Sequence, residues 1–365
     1  MSTSVSTINT TIAQSAVGGV SDARFAKLTR GINLSHWFAQ ARSYDKAHLQ
    51  SYDTLEDMQL IKSIGFAHVR FTMNPVILLD EQDPARLNPE YLGYMGAALD
   101  MILGQGLAVI VDLHPEDDFK LRLGTSDETV AAFTTFWHTL ARHLSTRDPE
   151  MVFLEVLNEP VLKDAQRWAA IQARLLAAMR EGAPRHTLIA TAHKWSSLPE
   201  LLLLDPVADR NVVYNFHCYD PHDFTHQGAT WGVDYWPYLE YLPYPSSPQA
   251  FENVLPRIEN EQAKQAAREY GAEQWNAAKI DAWIAKAAAW AEQHKVRLTC
   301  NEFGVYRLKS LPEHRNAWIR DVRAALEKYQ IGWAMWDYAG GFSVITTKDK
   351  RREADPETAG ALGLA

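Results

Sequence analysis

Cysteine is scarce: Cys218 and Cys300 are the two in 365 residues. Their separation offers neither a metal-ligand spacing nor a disulfide framework. Both fall in strand-like runs and read as buried thiols. A basic excess is missing too. Lys and Arg number 36 against 45 Asp and Glu, a net charge of −9, which argues against a nucleic-acid surface and leaves a neutral polymer open as partner. No run approaches ~18 consecutive apolar residues, so no membrane-spanning helix is expected. Residues 1–21 carry no Lys or Arg and no apolar stretch long enough for a signal-peptide core. They are expected to form a disordered arm. No Gly-x-Ser-x-Gly elbow presents a serine nucleophile. No glycine-rich phosphate turn follows an early strand either, since Gly18-Gly19 lies in the arm.

What is present is apolar bulk and rings. The chain is 47% apolar, with 12 Trp, 14 Tyr and 13 Phe, enough for a large core. Strand-like runs occur at Gly31–Ser35, Ala67–Phe71, Leu107–Leu113, Met151–Leu157, Thr187–Ala192, Val212–His217, Val296–Asn301 and Ile331–Trp336. Segments of helical period separate most of them. Asp53 leads into Leu55, Met58, Ile61 and Ile64, with Gly65 as the left-handed stop. Asn88-Pro89 reads as a cap and first-turn proline before Tyr91, Leu92, Met95, Leu99 and Ile102. Thr125 with Glu128 fits a capping box before Val130, Phe133, Trp137, Leu140 and Leu144.

Eight strands alternating with helices predict an α/β fold, a parallel (β/α)8 TIM barrel over residues 22–365. The connection between strands six and seven is long, about 220–294, and aromatic-rich. Its first part holds Trp231, Tyr235, Trp236, Tyr238, Tyr241 and Tyr244; its second part reads as helix. Such a loop either stacks on sugar faces beside a cleft or packs its rings into a satellite core.

Two glutamates stand at strand ends, in Leu157-Asn158-Glu159-Pro160 and in Asn301-Glu302-Phe303-Gly304. Alone, each reads as a salt-bridged rim residue. Together they offer what acetal cleavage requires: one acid to protonate the leaving oxygen and one carboxylate to meet the oxocarbenium-like carbon. Other strand ends add Arg70, then His114 in Asp112-Leu113-His114-Pro115, His217 and Tyr219 in Asn215-Phe216-His217-Cys218-Tyr219, and Trp336 in Trp333-Ala334-Met335-Trp336-Asp337. His222 and His226 have a His-x-x-x-His spacing, but no Glu follows the first and nearby prolines argue loop, so no metal is expected there.

This ordered set resembles glycoside hydrolase family 5, the cellulase-type retaining β-glycosidases, over about residues 30 to 340. The family's pattern is an Arg, a His, an Asn-Glu pair, a His with a Tyr two residues on, a second Glu and a Trp, on successive strands. The resemblance implies Glu159 as acid/base and Glu302 as nucleophile, without metal or organic cofactor. Arg70 would hold Glu302 ionised unless it pairs with Glu155 or Asp112, and both can hold together. Tyr219 is expected to hydrogen-bond Glu302, and His217 to orient Glu159 or bind a hydroxyl. Asn158 would donate to the sugar 2-hydroxyl, and His114 would contact the neighbouring sugar. Trp336 would floor the subsite under attack, and Trp37 would be a second stacking surface if it is not core.

The expected activity is retaining hydrolysis of a β-linked glucan polysaccharide or oligosaccharide, first an endo-β-1,4-glucanase. β-Mannanase, exo-β-1,3-glucanase and β-glucosidase are alternatives that the same residues serve. A catalytically silent sugar-binding barrel would lack one of the two glutamates. The absent signal core reads as cytoplasmic, whereas the resemblance points to a secreted or periplasmic enzyme. Oligomeric state is left open by the sequence.

Overall fold

The eight apolar runs pair in chain order into one closed parallel barrel. The strands are β1 (Gly31–Phe38), β2 (His68–Met73), β3 (Ala108–Leu113), β4 (Val152–Glu155), β5 (Leu188–Thr191), β6 (Val212–Cys218), β7 (Arg297–Phe303) and β8 (Gly332–Met335), with β8 closing on β1. This is a computed structural model, and it describes residues 19–349 and 351–364. The expected arm therefore lies outside the described residues except at 19–21, where Ser21 already caps the short helix Asp22–Phe25.

Strand alternation explains where the polar groups go. At the foot of the barrel Ala108, Ile110, Phe153, Ile189 and Val213 form an apolar layer, plugged from below by Phe25 and Leu28. Two residues further up the same faces stand Asp112, Glu155, Thr191 and Asn215, all fully buried. The barrel interior thus changes from apolar to ionisable along its length. The catalytic face of such barrels lies at this C-terminal end.

The helices follow their caps. Asn88 accepts from Glu90 N and Tyr91 N ahead of the helix Pro89–Gly104. Gly65, at φ 108°, ends the helix Leu55–Ile64. The box expected at Thr125 and Glu128 is not the one formed. A short helix, Asp117–Thr125, precedes the long one, and Thr125 Oγ1 donates back to Leu121 O at 2.9 Å. Ser126 is left extended between the two and caps Asp127–Leu144, accepting from Thr129 N at 3.1 Å.

Between β6 and β7 the chain forms His222–Thr225, Pro248–Phe251, Glu261–Glu273 and Ala277–His294. After β8 it adds a hairpin, β9 (Ile345–Lys348) with β10 (Arg351–Ala354), and the helix Pro356–Ala361. Polar alternation without a buried face gave this hairpin no sequence signal. Among the described residues no helix is long and apolar enough to cross a membrane. Cys218 and Cys300 are buried thiols on the neighbouring strands β6 and β7.

Candidate active site

Arg70 is the fully buried hub of the barrel's upper layer. Its Nη1 donates to Glu302 Oε1 at 2.7 Å and Asn33 Oδ1 at 3.0 Å. Nε and Nη2 fork onto both oxygens of Glu155, and Nη2 also reaches Asn158 Oδ1 at 2.9 Å and Asp112 at 3.1 Å. The two pairings considered for Arg70 therefore coexist. One guanidinium faces three carboxylates here. Burial raises Glu155 and pushes Asp112 up to about 6, against the pull of Arg70.

The hydrogen-bond pattern fixes both histidine tautomers. Arg70 can only donate, so Asn158 turns its oxygen to Arg70 and its NH2 to His114 Nε2 at 3.1 Å. That nitrogen must accept, which leaves the proton on His114 Nδ1 to donate to Asp112 Oδ2 at 3.0 Å. The second N–H of the Asn158 amide has no partner among the described residues. Asn215 accepts from Asn301 N at 2.9 Å, so its NH2 faces His217 Nε2 at 3.3 Å. The proton then sits on His217 Nδ1, which donates to Glu159 Oε1 at 2.8 Å. Burial holds both imidazoles neutral, with His114 lowered to about 3 and His217 to about 4.

Glu159 and Glu302 face each other across this centre. An oxygen of each, together with a His217 nitrogen, lies within 4.8 Å of the others. Tyr219 donates its phenol to Glu302 Oε2 at 2.9 Å, and burial keeps that phenol protonated. Glu159 has φ 43°, a left-handed geometry unusual for a side-chain-bearing residue at a strand end. Its side chain is 23% exposed, against 5% for Glu302. Burial raises the Glu159 carboxyl above its ordinary range. Among the described residues, Glu159, His217 and Glu302 also have a spacing that could hold a metal ion. Arg70 already occupies Glu302, and the His217 nitrogen nearest both carboxylates carries a proton, so the arrangement suits acid–base chemistry on a neutral ligand better than a cation.

These groups open into a cleft of about 590 Å³ whose lining includes His114, Glu159, Tyr219, Glu302 and Trp336. Trp336 stacks on His114 with ring centroids 5.5 Å apart. Trp37 is not in the cleft, which corrects the expectation of a second stacking surface. It is 2% exposed, donates Nε1–H to Leu49 O and meets Phe71 edge-on. The register of β1 against β2 shifts between Leu34 and Phe38, with His36 at φ 61°. β1 takes four residues from Leu34 to Phe38 where β2 takes two, from Phe71 to Met73, and the left-handed His36 breaks the alternation inside this irregularity, so His36 lines the cleft and Trp37 enters the core.

Several wall residues went unread in the sequence. Glu116 follows β3, Tyr306 follows β7, and Asp337 and Phe342 follow β8. Proximity to a strand end was the available signal. His226, which fits no metal motif, stands in the wall with Trp231. The ring-rich loop divides: Trp231 is 48% exposed and meets Tyr306 edge-on, while Trp236 and Tyr244 are buried and bonded to Asp223 and Asp321. Trp195 was also missed. Lys194, Trp195 and Ser196 are three successive left-handed residues beyond β5, and Trp195 N donates to Pro160 O at 3.0 Å. This holds a half-exposed indole beside the Glu159 turn. A further cavity of about 560 Å³ is lined by the starts of β6 and β7, at the opposite barrel end.

The family model described as Cellulase (glycosyl hydrolase family 5) matches residues 28–341. Endoglucanase C of Acetivibrio thermocellus is 30% identical over 328 residues, 88% of this chain and 94% of its own length. Cellodextrinase A of Ruminococcus flavefaciens is 25% identical over 313 residues, 83% of each chain. Among solved structures, a hyperthermophilic endo-β-1,4-glucanase in complex with substrate superposes at a TM-score of 0.76 with 23% identity, covering 93% of this chain and 99% of that one. The last likeness is one of fold.

Proposed function

The chain belongs to the cellulase family, glycosyl hydrolase family 5, and we propose that this glycoside hydrolase cleaves β-1,4-glucan chains internally, with retention of anomeric configuration. The observation that carries the reading is the approach of the two carboxylates. Retaining enzymes hold their carboxyl groups ~5–5.5 Å apart and inverting ones ~6.5–9.5 Å, to admit a water. One oxygen of Glu159 and one of Glu302 lie within 4.8 Å of each other and flank the same His217 Nδ1, at 2.8 and 3.6 Å, a nearest approach in keeping with the shorter class.

In the first step Glu302 attacks the anomeric carbon while the Glu159 proton passes to the leaving oxygen, forming a glycosyl ester on Glu302. In the second step Glu159 takes a proton from water, which attacks the same carbon and releases Glu302. Arg70 and Tyr219 both donate to Glu302, aiming it and stabilising the departing carboxylate. The second Asn158 N–H serves the sugar 2-hydroxyl, whose bond strengthens in the transition state. Trp336, stacked on His114, offers its face to the ring under attack.

The preference for glucan, and for internal cleavage, is supported by relatives named endoglucanase and by two exposed rings, Trp231 in the cleft wall by Tyr306 and Trp195 tied through its backbone to Pro160 beside the Glu159 turn. Two measurements test the proposal. An activated 2-fluoro glycoside should give an intact-mass adduct that maps to Glu302; no adduct, or one elsewhere, overturns the mechanism. Cellohexaose should yield cellobiose to cellotetraose early, ahead of mannohexaose and laminarihexaose. Release of single glucose units alone would replace internal cleavage with exo action.

A further inference from the structure

An acid/base residue must be a carboxylic acid in one half-reaction and a carboxylate in the next. Charge placed beside it therefore governs both. The helix Asp117–Thr125 begins just past β3, and its cap residue, Glu116, lines the cleft. One face of this helix packs on the turn that follows Glu159. A Cβ at Gly124 would lie 2.9 Å from Leu162 Cγ, and Arg167 Nε donates to Gly124 O at 3.4 Å. Lys120 stands one turn before Gly124, on the same face, and is 4% exposed. Its ammonium has three donors. The bond it makes is a long one, 3.4 Å to Asp117 Oδ1, whose own side chain is 70% exposed.

We propose that Lys120 is a positioning residue for Glu159: its buried ammonium, on the helix face that packs against the turn following the acid/base, favours the ionised carboxylate needed when water attacks the glycosyl ester. The proposal rests on Glu159 being the acid/base. Burial is the largest influence on Glu159 and raises its carboxyl; Lys120 is the strongest charge acting the other way, ahead of His114 and Arg70, while Asp117 adds to the rise. The other groups around the carboxyl leave this office open. Arg70 from β2 is shared among Asp112, Glu155 and Glu302. His114 from β3 and His217 from β6 are held neutral by burial, and Tyr219 stays protonated. Glu116, the cap of the same helix, and Asp337, beyond β8, are acidic groups in the cleft lining and supply no positive charge.

The test is the pH dependence of kcat/KM on an aryl cellobioside with a poor leaving group, measured for the full chain and three variants. Lys120→Met should move the alkaline limb to higher pH, because the acid keeps its proton longer. Asp117→Asn, at an exposed position, should move it to lower pH. Lys120→Arg, which keeps the charge, should stay with the parent. An unmoved limb in Lys120→Met and Asp117→Asn overturns the proposal, as does a Lys120→Arg limb displaced as far as that of Lys120→Met. If Lys120→Met does not fold, the direction of the Asp117→Asn shift decides. Azide rescue of Glu159→Ala separately checks the acid/base reading: without rescue that reading fails, whatever the limbs do.

Discussion

Glu302 and Glu159 are chemically the same residue, and their surroundings divide the work. Glu302 receives a guanidinium and a phenol; Glu159 receives one imidazole N–H and keeps more contact with solvent. Replacing Glu302 by Ala should abolish turnover even on activated aryl glycosides, because no later step can begin without the ester. Glu159→Ala should lose ~10²–10⁴-fold on poor leaving groups, yet still glycosylate with good ones, and azide should restore turnover with a β-glycosyl azide as product. A β-azide from Glu302→Ala would exchange the two assignments. Trp195 belongs to the same scale. Its indole is half exposed and held by backbone geometry, so Trp195→Ala should leave thermal stability nearly unchanged. It should cost about 0.5–1.5 kcal/mol of binding to long chains, roughly two- to tenfold in KM. An unchanged KM on cellohexaose would remove it from the substrate path. The sequence made Glu159 and Glu302 visible because strand-end placement is a local property. It misplaced Trp37 because the left-handed His36 that breaks the alternation of β1 leaves no mark in composition.

At the scale of the element, the helix pair at 117–144 shows what a capping pattern can and cannot tell. Thr125 and Glu128 have the spacing of a capping box, but a residue can cap only if its own backbone is extended. Thr125 is helical, and Ser126, at φ −120°, is the extended one. Ser126→Ala should therefore cost ~1 kcal/mol of stability, whereas Thr125→Ala, which removes one bond to Leu121 O on an exposed turn, should cost well under that. Equal losses in urea titrations of the two variants would contradict the observed boundary. The loop after β8 is fixed by contacts that were not foreseen. Arg315 in the helix Pro312–Lys328 is buried with no carboxylate partner among the described residues, and its guanidinium directs its donors to Phe342 O, Ser343 O, Val305 O and Thr358 Oγ1. Phe342 is thereby held against Tyr219 and Tyr306 in the cleft wall. A helical Arg gives no hint in sequence that its partners are carbonyls from two other segments and a hydroxyl from a third.

For the whole molecule, the barrel was legible because eight apolar runs with helical spacers leave few topologies, and closure follows from their number. The polar interior was less legible, since a buried His or Asp on a strand looks the same in sequence as an exposed one. That interior has a consequence for acid stability. Burial lowers His68, His114 and His226 to about 3, and His186 and His217 to about 4. In the unfolded chain each would titrate near ~6.5. A group whose pKa is depressed by folding binds protons more readily when unfolded, so its stabilisation is complete above ~6.5 and disappears as the pH falls toward the folded value. Asp53 and Asp112, raised by burial to about 7 and about 6, act with the opposite sign, favouring the folded state as they take up protons, and so do Glu155, Glu159 and Asp337, which burial also raises. These carboxyls offset part of what the five imidazoles lose, and a tenfold difference in proton affinity between the folded and unfolded chain corresponds to ~1.4 kcal/mol. The imidazoles, displaced furthest from their unfolded values, should prevail between pH 6.5 and 4.5, so Tm should fall by roughly 5 °C over that interval. Circular-dichroism melts at fixed ionic strength would show it. A Tm that stays level across that interval would mean that the imidazoles are charged or solvated in the folded protein, and the tautomers assigned to His114 and His217 would fall with it.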